Sequence, residues 1–110
     1  MNYTIKNIND STFIFDFQPK NTVLTLFLEG DFTAFHDQFL QLIDNVLDGK
    51  SKSEEMTGNS TNVVFKKDMT TIEDLFLDGE PTLCTIQTSE LRSLMDEWLQ
   101  KRAEFLKTKG

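Results

Sequence analysis

The chain has 110 residues, 38% of them apolar, and its 18 acidic side chains against 11 basic ones leave a net charge of −7. That length matches a single domain, expected here over residues 1–110, and no apolar run approaches the roughly 20 residues that a spanning helix needs. Cys84 is the only cysteine, so no intrachain disulfide can form, which fits a reducing compartment.

Residues 1–10 hold no apolar stretch of the kind a secretory signal requires. A cytoplasmic location is therefore expected, and the glycosylation triplets at Asn2, Asn9 and Asn59 are chance matches. Tyr3 and Ile5 alternate with polar neighbours as an edge strand does. Residues 12–18 alternate more clearly, with Phe13, Phe15 and Phe17 on one face. Pro19, Lys20 and Asn21 supply turn chemistry, and residues 22–29 alternate Leu24, Leu26 and Leu28 against Val23, Thr25 and Phe27, which predicts a third strand forming a hairpin with residues 12–18. Gly30 ends that strand and Asp31 is placed to cap a helix over residues 32–47. Its stripe is Phe32, Phe35, Phe39, Ile43, Val46 and Leu47, with Gly49 as the stop.

Residues 50–61 are polar, serine-rich and aperiodic, and are expected to form a mobile loop. A short strand follows over residues 62–67. Residues 70–78 fit either a strand or one helical turn capped by Thr70 or Thr71, with the strand preferred. Gly79, Glu80 and Pro81 turn into a strand over residues 82–87. Thr88 or Ser89 then starts a closing helix whose inner face carries Leu91, Leu94, Met95, Trp98, Leu99, Arg102, Phe105 and Leu106. The fold class is α+β: a mostly antiparallel sheet of about five to six strands with two helices on one face, in the order β-β-β-α-β-β-β-α.

The charge is uneven along the chain. Residues 1–28 balance, residues 81–110 carry a net +1, and residues 29–80 set twelve acids against Lys50, Lys52, Lys66 and Lys67, a net −8. Such a field repels nucleic acid and anionic membranes and speeds encounter with a basic protein. Catalytic constellations are thin. His36 is the sole histidine and sits in an amphipathic helix; Cys84 reads as a buried, inert thiol. One His and one Cys do not make a zinc site, and the acids do not follow calcium-loop spacing. No glycine-rich phosphate loop occurs. Neither a metal, a cofactor nor an enzymatic activity is expected.

What remains is Glu73, Asp74, Asp78 and Glu80 around the triplet Leu75, Phe76 and Leu77. An apolar anchor such as Phe76 rimmed by carboxylates suits docking onto a basic cleft. Asp44 and Asp48, late in the first helix, are secondary candidates for partner contact.

The run Leu83-Cys84-Thr85-Ile86-Gln87-Thr88-Ser89-Glu90-Leu91, continued by Leu94-Met95-Asp96-Glu97-Trp98-Leu99, resembles the strand-to-helix ending of small bacterial immunity proteins. These are the cytosolic antitoxins of contact-dependent-inhibition and other polymorphic toxin systems. The resemblance covers residues 83–99 and implies a chain that binds and neutralises one toxin domain, typically a nuclease. It assigns no residue a role. The alternative from the residues is a non-toxin adaptor or regulatory subunit, using a sheet edge or Arg92 and Lys101 of the closing helix.

Overall fold

Alternation at Phe13, Phe15 and Phe17 places all three on one buried face in the computed structural model, which describes residues 1–79 and 81–109. They belong to β2 (Thr12–Gln18), which pairs antiparallel with β1 (Asn2–Asn9), Tyr3 opposite Phe17 and Ile5 opposite Phe15. A two-stranded hairpin is marginal in water. This one is held by the closing helix α3 (Thr88–Lys109), where Trp98 stacks on Phe13 with ring centres 4.6 Å apart and meets Phe15 edge-on at 5.1 Å. The Tyr3 hydroxyl donates to Glu97 of the same helix at 2.6 Å.

Residues 22–29, expected as a third strand in a hairpin with residues 12–18, are helical, and β2 takes β1 as its partner instead. α1 (Thr22–Phe27) opens a run that passes through a π-helical turn (Leu28–Phe32) into α2 (Thr33–Leu47). The Asn21 side chain caps the run by accepting from the Leu24 amide at 3.1 Å. Val23, Leu24, Phe27, Leu28 and Phe32 are all buried and continue into Phe39, Ile43 and Val46. Their steps of one, three and four follow a helical period, which burial rewards over the period of two in the same letters. Gly30 lies inside the wide turn rather than ending a strand. Thr33 settles that turn, its hydroxyl donating to the Leu28 carbonyl at 2.8 Å and accepting from the Trp98 indole at 2.9 Å.

The second sheet is an antiparallel meander, β3 (Ser53–Thr57), β4 (Thr61–Lys66), β5 (Met69–Asp74) and β6 (Leu83–Gln87), in that spatial order. β3 corrects the expected loop over residues 50–61. It escaped notice because its inward positions are Glu54 and Met56, and Glu54 is made tolerable there by Asn45 at 3.0 Å and the Ser51 hydroxyl at 2.8 Å. Val63, Phe65, Ile72, Cys84 and Ile86 face the helices and are buried, while Glu55, Val64, Thr71 and Thr85 form a row on the other face. The α+β class and the six antiparallel strands stand as expected, though they divide into two sheets of two and four strands rather than forming one. One expected strand is helix and one expected loop is strand, so the order is β-β-α-β-β-β-β-α, counting the α1–α2 run once.

Asp31 joins the helical run to the sheet. Rather than capping a helix it is buried, and one carboxylate oxygen accepts from the Asn59 amide at 3.0 Å. The other accepts from the amides of Ser60 and Thr61 at 3.0 and 2.9 Å and from the Thr61 hydroxyl at 2.7 Å. The fit is tight enough that a Cβ at Gly58 would lie 2.5 Å from that second oxygen. Asp31→Ala strands three amides and a hydroxyl, and a loss of about 3–5 kcal/mol in urea unfolding is expected. Gly58→Ala should lose about 1–3 kcal/mol by overpacking the same contact.

Tyr3, the one tyrosine, has its phenol pushed up to about 12, first by burial and then by its bond to Glu97. A phenol held neutral in the fold stabilises it fully below pH 10, and that contribution is lost as pH rises from 10 towards 12. Absorbance titration should show one late transition in the native protein and an ordinary one in urea. The alkaline fall in stability between those limits should shrink in Tyr3→Phe.

Candidate partner-binding site

The last residue of β5 shapes the surface around Phe76, the most exposed large apolar side chain among the described residues. Period two puts Asp74 on the same inward face as Thr70 and Ile72, and it is buried with them. Its amide donates to the Thr82 carbonyl at 2.8 Å, extending the β5–β6 ladder by one residue. Its carboxylate accepts from the amides of Phe76 and Leu77 at 2.9 and 3.0 Å. This local turn folds the chain outward. Leu77 swings back onto the core, while Phe76 is thrown into solvent at 73% exposure. Leu75, whose amide donates to the Ser60 carbonyl at 2.9 Å, is 46% exposed, and Leu83 is 59% exposed. Glu73 lies opposite Leu83 in register and is exposed, as is Asp78.

Leu75, Phe76 and Leu83 thus share one end of the sheet with Glu73 and Asp78. Asp74, expected to touch a partner, has its carboxylate engaged inside the turn that presents Phe76. Glu80 lies outside the described residues. Asp44 accepts from the Arg92 guanidinium at 2.8 Å, an ion pair that ties α2 to α3, and Asp96 takes a second nitrogen of that guanidinium at 2.5 Å. Those two carboxylates raise the arginine above its ordinary range, the bond to Asp44 foremost, while burial opposes them. Asp48 is exposed beyond Asn45, which bonds Glu54 near the start of β3, whereas Glu73 shares its row with Thr57 at the end of that strand. Three strand residues, about 10 Å, separate those rows, so Asp44 and Asp48 belong to a different end of the sheet. Leu83 was missed in the sequence, although inward Cys84 and Ile86 leave it only the outer face.

Beside the patch lies a groove of about 480 Å³ between the turn into α1 and strand β6, lined by Lys20, Asn21, Val23, Leu83, Cys84 and Thr85 among others. Asn21 braces it from below, its amide nitrogen donating to the Cys84 sulfur at 3.2 Å. Burial pushes the Cys84 thiol up, with the Asn21 bond opposing and Glu90 adding to the rise. His36 lies on α2, one ring nitrogen 3.3 Å from the Thr33 carbonyl and the other 3.4 Å from Asp37. Among the described residues no group of three or more His, Cys, Asp or Glu side chains is placed to hold a metal, and no helix is long and apolar enough to cross a membrane.

Fold and surface together define an acidic α+β protein that displays an aromatic residue between carboxylates at one end of its sheet. The chain belongs to the immunity-protein family: it is 32% identical over 109 residues to an immunity protein of Bacillus cereus, a match spanning 98% of this chain and 93% of that one. No family profile matches the chain, and no solved structure matches it.

A thiol raised by burial stays protonated at pH 8, and the thiolate is the reactive form. Alkylation of Cys84 at that pH is therefore expected to run at least about tenfold slower in the native protein than in urea; equal rates would contradict the buried placement.

Proposed function

We propose that this protein is a cytoplasmic antidote that binds a cognate toxin domain of basic character and neutralises it by occupancy rather than catalysis. The observation that carries the reading is kinship to a protein named an immunity protein over 98% of the chain. The patch supports a mode of action. Phe76, flanked by Leu75 and Leu83, is the anchor, and burying one such aromatic at the centre of an interface is what gives most interfaces their energy. Glu73 and Asp78 are the rim, with Glu80, two positions further along the sequence, as an additional acid. Asp48 adds to the field from a distance.

A nuclease is the toxin class we favour, within a contact-dependent-inhibition or other polymorphic toxin system. An enzyme that grips polyphosphate needs a cationic surface, and carboxylates compete for that surface. The excess of negative charge over residues 29–80 steers such a partner from beyond contact distance. Residues 1–110 act as one unit in this reading.

Co-expression with its cognate toxin domain is expected to restore growth, and the purified pair to associate at a rate that falls steeply with salt. Phe76→Ala should weaken binding by about 2 kcal/mol, slowing association little and speeding release most. Glu73→Gln combined with Asp78→Asn should mainly lower the association rate. All three side chains are exposed, so unfolding midpoints should hold. A salt-indifferent rate, or a Phe76→Ala variant that binds as tightly as the parent, would sink the reading.

A further inference from the structure

The two edges of the four-stranded sheet are treated differently by the sequence. β3, at one edge, carries Glu54 and Glu55, and charge is a common guard against unwanted strand pairing. β6, at the other, reads Leu83-Cys84-Thr85-Ile86-Gln87, with no charge and no proline, and its register with β5 runs without a bulge. Among the described residues no further strand pairs with it.

The direction of its main chain follows from two hydrogen bonds. In an antiparallel ladder, residues alternate between those that bond their neighbour and those whose N–H and C=O point away. The Asp74 amide donates to the Thr82 carbonyl at 2.8 Å and the Thr88 amide to the Asp68 carbonyl at 3.0 Å, bracketing β6 in a constant register. Residues 82, 84, 86 and 88 are therefore the bonded set. Leu83, Thr85 and Gln87 turn their main-chain groups to the outer edge, and Leu83 and Thr85 line the groove of about 480 Å³ whose far wall is Lys20, Asn21 and Val23. Leu83 also belongs to the patch around Phe76.

We propose that this edge receives an extended segment of the cationic partner, which adds a strand to β6 and continues onto the Phe76 patch; the inference rests on the docking reading above and specifies its geometry. Main-chain bonds to Leu83 and Thr85 supply affinity without regard to the partner's side chains, and the patch supplies selectivity. Charge decides against a second copy as the occupant, since two chains of net −7 repel while a basic one is drawn in.

The test is hydrogen–deuterium exchange of the unmodified protein with and without the purified toxin domain, beside binding by Thr85→Pro and Ser53→Pro. Both prolines remove amides that face an outer edge, where proline is tolerated. Strand addition expects the Leu83 and Thr85 amides to become protected in the complex. It also expects roughly tenfold or greater weakening by Thr85→Pro, from lost main-chain bonds, and none by Ser53→Pro. If Thr85→Pro does not fold, the exchange result decides alone. Unprotected amides in a complex that Phe76→Ala still weakens would overturn strand addition and leave patch docking intact. A complex indifferent to Phe76→Ala as well would remove both. Protection that grows with the concentration of this protein by itself would assign the edge to self-pairing and overturn the proposal.

Discussion

The buried carboxylate of Asp31 is the contact on which the arrangement of the two halves depends. It projects from a π-helical turn and binds three consecutive main-chain amides and a hydroxyl in the hairpin between β3 and β4. A carboxylate without partners in such a place would cost several kcal/mol, so the hairpin and the helical turn must fold against one another. From there the chain of dependence runs outward. Ser60, held by Asp31, gives its carbonyl to the Leu75 amide, and Asp74 beside it bends the chain through Phe76 and Leu77. A single acid in the helix layer thus helps fix the position of the patch at the end of the sheet.

Negative charge in this protein has two separate uses. Of the acids over residues 29–80, Asp31 and Asp74 are buried and spent on main-chain amides, Asp44 is paired with Arg92, and Glu54 is bonded by Asn45 and Ser51. These organise the fold. Glu73, Asp78, Asp37, Asp48 and Asp68 are exposed and contribute to the outward field. Counting charge along the sequence measures their sum, while the electrostatics felt by a partner come mostly from the second group.

That distinction explains what was legible in the sequence. Helix α3 and strand β2 were, because Trp98 with Leu91, Leu94 and Met95, and Phe13 with Phe15 and Phe17, each satisfy one period only, whereas the pairing of β2 with β1 rather than with residues 22–29 was not. Residues 22–29 satisfy two periods, and the choice was made by packing against Phe32 and Phe39 beyond Gly30, a residue that reads locally as a break. β3 was hidden because its inward glutamate is paid for by partners elsewhere in the chain. The role of Asp31 left no local trace, since its partners lie 28 to 30 residues away. In the candidate site, Glu73, Phe76 and Asp78 were reachable from composition. The inward position of Asp74 was reachable too, from Thr70 and Ile72 at period two, but density of acids hid it.

The connection between β5 and β6 is anchored by its ends. Asp74 and Thr82 clamp the base, and of the side chains over residues 75–79 only Leu77 returns to the core. The exposed side chains of Leu75, Phe76 and Asp78 are therefore free to drift under selection without disturbing folding. A lineage could exchange these few residues to follow a changing adversary, while the inherited framework stays as it is.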